Sequence, residues 1–294
     1  MKSGFCTLWG RPNAGKSTLL NALLGRKHVI VSARPQTTRH RIAGVLHGGE
    51  EYQIVFVDTP GIHLPVHKLG ETLVKNARAA LDDVECVLFV ADVTDSPHDD
   101  DERAAAALGK VKIPVILVIN KIDAVSAEDL ATNRALFEKL RTFSRVIEVS
   151  ALKGTGIDGL KAAVKEVLPD GDPYFPEDMV GDRPPEFHIE ELIREAALHQ
   201  LLQEIPHAVA VTVEQMVPRT NGQLYIEAFV HIERESQKKI VIGEGGARIR
   251  DIGKAARVEI ERLLGRPVYL ELRVKVREKW RDSDVWISRL GIKD

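Results

Sequence analysis

The chain has 294 residues, 44% of them apolar and 29% charged, and a net charge of −2. That content supports a sizeable core, in one large or two ordinary domains. No apolar run approaches the ~20 residues needed to span a bilayer, which excludes a membrane-crossing helix. The near-neutral total hides an asymmetry: Ser236–Arg281 holds thirteen Lys/Arg against six Asp/Glu. Charge split in this way points one region toward a polyanion. The two cysteines, Cys6 and Cys86, sit in apolar stretches without metal-ligand spacing. They read as buried hydrophobes suited to a reducing compartment. The start, Met1-Lys2-Ser3-Gly4, leads straight into a strand and leaves no room for a signal peptide, so a cytoplasmic protein is expected.

In chain order, five short apolar runs recur: Phe5–Trp9, Ile54–Val57, Cys86–Val90, Val115–Ile119 and Arg145–Val149. Unbroken runs of this length suit parallel strands buried on both faces. Helical patterns lie between them at Ser17–Leu24, Leu69–Leu81, Glu102–Leu108, Ala127–Arg141 and Gly156–Val167. The alternation predicts an α/β domain with a mostly parallel sheet and helices on both faces. A further strand, Arg41–Leu46, is expected to pair antiparallel with Gln53–Val57. The acidic loop Asp95–Glu102 leads into a helix and reads as a solvated surface with capping carboxylates. Proline-rich Leu168–Pro185 reads as a linker or wrap. The expected division is residues 1–170, a linker at 171–185, and an α+β domain with a helical tail at 186–294. In that second domain a helix at Glu186–Gln203 precedes strands Ala208–Met216 and Gln223–Ile232, joined by an Asn221-Gly222 turn. A helix Ala247–Leu264 and a strand Val268–Val276 follow.

The first strand–helix junction reads Gly10-Arg11-Pro12-Asn13-Ala14-Gly15-Lys16-Ser17 and fits G-x-x-x-x-G-K-[ST]. Glycines let successive N–H groups turn toward phosphate oxygens, and the helix adds its positive end. Asn13, Ala14, Gly15, Lys16, Ser17 and Thr18 are the candidate phosphate-binding residues. Lys16 is expected on the β/γ-phosphates and the Ser17 hydroxyl on Mg²⁺. "DTPG" closes the second strand: Asp58 is expected to hold Mg²⁺ and the Gly61 N–H to meet the γ-phosphate. In Pro35–Arg41, a Thr is expected to complete the metal site, with Thr38 favoured over Thr37. "NKID" closes the strand Val115–Ile119. Asp123 can accept from guanine N1–H and N2, which adenine does not offer. Asn120 is placed as a brace for the phosphate loop, and the Lys121 stem over the base. Ser150, Ala151 and Leu152 offer a backbone N–H to the guanine O6. Every one of these motifs ends a parallel strand, so all should share one crevice.

Phosphoryl transfer to water requires charge neutralisation and an oriented water. Ras-like enzymes place a Gln just after D-x-x-G, where this chain has Ile62. Intrinsic hydrolysis is therefore expected to be slow, with Lys16, Thr38 and Gly61 as the catalytic set. Candidates for extra positive charge are a K⁺ ion held by Asn13, Arg39 and Arg41. His63 and His67 have an i, i+4 spacing, but Pro65 between them argues against a metal-binding helix.

In the second domain, Gly243-Glu244-Gly245-Gly246 forms a G-x-x-G turn between two helical segments. With this element order it matches a type II KH module, which clamps a single-stranded backbone. Lys238, Lys239, Arg248, Arg250 and Lys254 surround the turn and supply charge, while Glu244 subtracts it. Trp280 can either stack on bases or pack the tail; Trp286 is expected to pack.

GRPNAGKS, PQTTRHRI, DTPGIHLPVHKLGE, NKID and SAL, followed by IVIGEGGARIRDIG, closely resemble the bacterial Era GTPases over nearly the whole chain. The resemblance implies a GTPase using GTP/GDP and Mg²⁺ that binds 16S ribosomal RNA near its 3′ end through the KH domain. It also implies a role in 30S subunit assembly and peripheral membrane association. A monomer is expected, though the sequence does not fix the oligomeric state. Departures are Ala14, Trp9 before the first Gly, and the acidic centre of the G-x-x-G turn. The expected behaviour is a two-state switch, in which GTP orders Thr38 and the loop after Gly61 and changes RNA binding. The rival readings are an RNA-binding scaffold with a structural nucleotide site, and a metabolic P-loop ATPase or kinase.

Overall fold

A computed structural model describes residues 1–34, 37–62, 64–65, 67–202 and 205–292. His63, named above beside His67, lies outside the described residues, as do Pro35 and Gln36 of the Thr38 segment and the expected helix end at Gln203. The described residues divide into two compact units.

The first unit begins with β1 (Lys2–Trp9), α1 (Lys16–Leu24), β2 (Ile42–His47) and β3 (Tyr52–Asp58). It continues through α2 (Lys68–Ala79), β4 (Cys86–Asp92), α3 (Asp99–Ala107), β5 (Val115–Asn120) and α4 (Ala127–Glu138). It closes with β6 (Arg145–Glu148) and α5 (Ile157–Val167). The strands form one sheet in the order β2-β3-β1-β4-β5-β6. Only β2 runs antiparallel, against β3, with Val45 opposite Val55. The predicted strands and helices are present with boundaries moved by a few residues. Every residue of β4 and β5 is buried, as helix-covered parallel strands require. Cys6 and Cys86 face each other across β1 and β4, both buried and both reduced. The sheet order reverses direction around β1, so the crevice at the strand ends opens where β1 meets its two neighbours.

The proline-rich segment runs with the first unit, which extends to Asp182. Its backbone is spent on the first unit's edge: Val45 N–H donates to Val180 O at 3.2 Å. Gln53 accepts from the Tyr174 and Phe175 amides at 2.7 and 3.0 Å. Proline has fewer donors to satisfy, so it serves well as such an edge wrap.

The second unit comprises residues 30–34, 67–69 and 183 onward. Its elements are α6 (Pro185–Gln200), a short α7 (Ile205–Ala208), β7 (Ala210–Pro218), β8 (Leu224–Ile232), α8 (Glu235–Ile242), α9 (Ala247–Leu264), β9 (Val268–Val276) and α10 (Asp284–Arg289). Three strands order as β7-β8-β9, with β8 and β9 parallel. The alternation Leu224, Ile226, Ala228, Val230 and Ile232 places one face of β8 in a core shared with Ile252, Ala256 and Ile260 of α9. Trp280, left between two roles by the sequence, is fully buried, and its indole N–H donates to Ala208 O at 2.8 Å. It packs the tail and offers no stacking surface. Trp286 packs on His231, with ring centroids 5.2 Å apart.

Candidate functional site

The loop after β1 folds back because Asn13 and Gly15 adopt left-handed backbone, φ 62° and 94°. A Cβ at Gly15 would lie 2.3 Å from Asn120 Nδ2, so only glycine admits the brace from β5. Asn120 Nδ2 donates to Ala14 O at 3.0 Å, while its Oδ1 accepts from Ala151 N at 3.1 Å. One side chain thus pins the phosphate loop to the loop after β6. Lys16 is buried, and its Nζ donates to Gly10 O and Arg11 O at 3.1 and 2.8 Å. Burial lowers its pKa to about 8, against the opposing pull of Asp58. Thr18 follows on the first turn of α1, half-buried.

Ser17, Thr38 and Asp58 converge although they are far apart in sequence. Ser17 Oγ donates to Asp58 Oδ2 at 2.8 Å, and Thr38 Oγ1 donates to the same oxygen at 3.1 Å. The two hydroxyls lie 2.9 Å apart. Burial raises the Asp58 pKa, while the Lys16 charge and the bonds from Ser17 and Thr38 oppose it. Asp58 Oδ1 is buried and lacks a well-formed hydrogen bond among the described residues. Hard oxygen donors around an under-satisfied buried carboxylate fit Mg²⁺. Gly61 lies against the loop, since a Cβ there would come within 2.5 Å of Pro12 N. Ile62 is buried in the core with Trp9 and Phe89 and bonds Gly10 O through its N–H at 3.2 Å. Of the other candidates for positive charge, Arg39 is buried and Arg41 exposed. No metal-holding group of His, Cys, Asp and Glu occurs among the described residues, His67 included.

At the base end, Ser150 Oγ donates to Asp123 Oδ1 at 2.5 Å and fixes the carboxylate. The amides of Ser150 and Ala151 are committed to Thr155 O and Asn120 Oδ1. That leaves the Leu152 N–H as the amide of this loop without a partner among the described residues. Lys121 adopts φ 67°, and its Nζ meets Asp92 Oδ2 at 2.5 Å. Asp92 was not singled out from the sequence. Its signal was its position, as a carboxylate ending β4 on the edge where every neighbouring strand carries a motif.

The second unit presents α8, the turn and α9 in sequence, with Gly243, Gly245 and Gly246 all at positive φ. A Cβ at Gly243 would meet Arg248 N at 2.9 Å. Arg248 donates to Ile240 O, and Arg250 donates to Gly245 O and Gly246 O, at 2.9, 3.0 and 3.2 Å. These arginines therefore shape the turn as well as charge it. Lys238 is half-buried, Lys239 and Glu244 are exposed, and Lys254 is 3.7 Å from Asp251.

Comparison with known proteins gives concordant results. A family described as 50S ribosome-binding GTPase matches residues 5–121, and a KH domain family matches residues 204–281. GTPase Era of Carboxydothermus hydrogenoformans is 47% identical, across 99% of this chain and 97% of its own length. GTPase Era of Thermotoga maritima is also 47% identical, across 100% and 98%. Among solved structures, an Aquifex aeolicus Era variant bound to GDP·AlF4⁻ superposes with a TM-score of 0.96 at 38% identity, all of both chains being covered. The same values hold for an Era complex with MgGDPNP and nucleotides 1506–1542 of 16S ribosomal RNA.

Proposed function

The chain belongs to the Era family of GTPases, and on that premise we propose which residues bind and hydrolyse GTP and what RNA the KH domain takes. The carrying observation is the convergence of Ser17, Thr38 and Asp58 on one oxygen beside the phosphate loop. Ser17, Thr38 and Asp58 hold Mg²⁺, which when bound offsets charge on the β- and γ-phosphate oxygens. Lys16 exchanges its bonds to Gly10 O and Arg11 O for phosphate oxygens. The loop amides and the start of α1 complete the cradle. Asp123, held by Ser150, accepts from the guanine edge, and the Leu152 N–H donates to O6.

Thr38 and the Gly61 N–H are the groups placed to respond to the γ-phosphate. Buried Ile62 has no polar atom on its side chain to orient the attacking water, so turnover by the chain alone is slow. RNA bound at the G-x-x-G turn takes its backbone against the N-terminal end of α9, with Arg248, Arg250, Lys238, Lys239 and Lys254 supplying charge. The RNA is 16S ribosomal RNA near its 3′ end, and the role is 30S subunit assembly. The support is the full-length similarity to an Era solved with that RNA segment.

Titration with a fluorescent guanine nucleotide, with and without Mg²⁺, tests the pocket. Tight Mg²⁺-dependent binding of GTP, with ATP at least about 100-fold weaker, is expected from paired hydrogen bonds to the base. Failure of guanine nucleotides to bind would overturn the pocket. Failure of a 16S 3′-end RNA to bind better than a scrambled sequence would overturn the RNA assignment alone.

A further inference from the structure

A set of charged side chains links the two ends of the nucleotide site, and its centre, Asp92, belongs to no recognised motif. Asp92 ends β4, directly beside Asn120 in the sheet register. Its Oδ2 takes two cations at once: Lys121 Nζ at 2.5 Å and Arg11 Nη2 at 3.4 Å. Its Oδ1 accepts from Thr94 N at 3.1 Å and Thr94 Oγ1 at 2.6 Å, which fixes the carboxylate plane. Burial alone would push this carboxyl up, yet the bonds from Lys121 and Thr94 hold it below its ordinary range. Arg11 lies within the phosphate loop, and its Nε sits 3.0 Å from Asp101 Oδ2 on the first turn of α3. Asp101 is fully buried and accepts from His98 N at 3.0 Å. The Arg11 carbonyl in turn accepts from Lys16 Nζ.

We propose that Asp92 is a positioning residue for the nucleotide: it sets the Lys121 stem for the guanine face and ties it through Arg11 to the phosphate loop. The inference rests on the proposed guanine pocket. A flexible lysine stem loses freedom when it packs on a base. Asp92 removes that freedom before the nucleotide arrives, and a preorganised group contributes more to binding. Because Arg11 shares the same oxygen, displacement of the phosphate loop is felt at the base side, and the reverse. The charge is needed on both cations, so a neutral side chain of the same shape does not replace it.

The test is a double-mutant cycle on the full chain, read as the dissociation rate of a fluorescent GDP. Asp92→Asn keeps the acceptor for Thr94 and removes the charge. It is expected to speed GDP release about tenfold, as is Lys121→Met. The double variant is expected to release GDP only a fewfold faster than Lys121→Met alone, since the Lys121 contact is then already lost and only the Arg11 contact remains to be broken. Thr94→Val, which removes the hydroxyl bond to the carboxylate and keeps the backbone one, serves if Asp92→Asn does not fold. It is expected to speed release a fewfold, and this effect too should shrink in the Lys121→Met background. Multiplying effects in the two backgrounds, or unchanged release in Asp92→Asn, would overturn the proposal. Unchanged GDP release in Lys121→Met would overturn it as well, whereas failure of the parent chain to bind GDP would overturn the guanine pocket beneath it.

Discussion

A methyl group at Gly15 would meet Asn120 Nδ2 at 2.3 Å, and φ 94° is not open to an L side chain at low cost. Gly15→Ala must therefore either push the Asn120 brace aside or straighten the loop. Both displace the loop amides proposed to face phosphate. A loss of about 2 kcal/mol, roughly 30-fold in nucleotide affinity, is expected from strain of this kind. Titration with GDP checks it, and an unchanged affinity would refute the brace. Residue by residue, much of the candidate site could be read from the sequence. Asn120, Lys121 and Asp123 fall within four residues, and their strand end announces where they go. Arg11, Asp92 and Asp101 were not legible, because an ion pair between loop, strand end and helix has no spacing in sequence. Trp280 was ambiguous for a related reason. An indole beside cations looks the same whether its N–H meets a base or, as here, the Ala208 carbonyl.

At the scale of elements, α6 carries a carboxylate in a poor place for a charge. Glu190 accepts from Val213 N at 2.8 Å on β7, and its pKa is raised to about 7. Burial is the main cause; the Val213 amide opposes it, and Glu191, Glu186 and Glu214 add to it. In the unfolded chain this group ionises near its ordinary value of 4.5. Between 4.5 and about 7 the folded state thus binds more protons than the unfolded state. Stability falls as pH rises through that window and levels off above it. Glu190→Gln keeps an acceptor for Val213 and abolishes the penalty. Discounted for partial exposure, it should stabilise the second unit by about 1 kcal/mol at pH 8. At pH 4 it should add little. Urea unfolding at both values, followed on the second unit, checks this; an equal gain at both would contradict it. The elements themselves were legible where periodicity is strong. Helix α9 and strand β9 fall where the apolar spacing puts them, Ala247–Leu264 and Val268–Val276. Which of the two, linker or wrap, the stretch up to Asp182 would be was not legible. Its bond from Val45 N to Val180 O is backbone to backbone and leaves no mark on the side chains.

At the scale of the whole molecule, the chain connectivity matters most. The chain leaves the first unit after Val29, contributes residues 30–34 to the second, and then runs to Thr37 and Thr38. Ile30 is part of the second unit's core. Val31 N donates to Glu195 Oε1 at 3.0 Å, and Val31 O meets His199 Nε2 at 3.1 Å. A few residues therefore separate the group proposed to respond to γ-phosphate from a stretch anchored in the second unit. If GTP orders Thr38 as proposed, that stretch is constrained, and linkage makes the effect reciprocal. RNA affinity is expected to differ between the GDP and GTP-analogue states by about 5-fold or more, the lower range of such couplings. Glu195→Ala removes the side-chain acceptor for Val31 and loosens the anchor. It is expected to bring the ratio of the two RNA affinities toward one while GDP binding holds. Measuring RNA binding in both nucleotide states, for parent and variant, decides it. Equal affinities in the parent would end the idea of a switch, and an unchanged ratio in the variant would place the coupling elsewhere than residues 30–34.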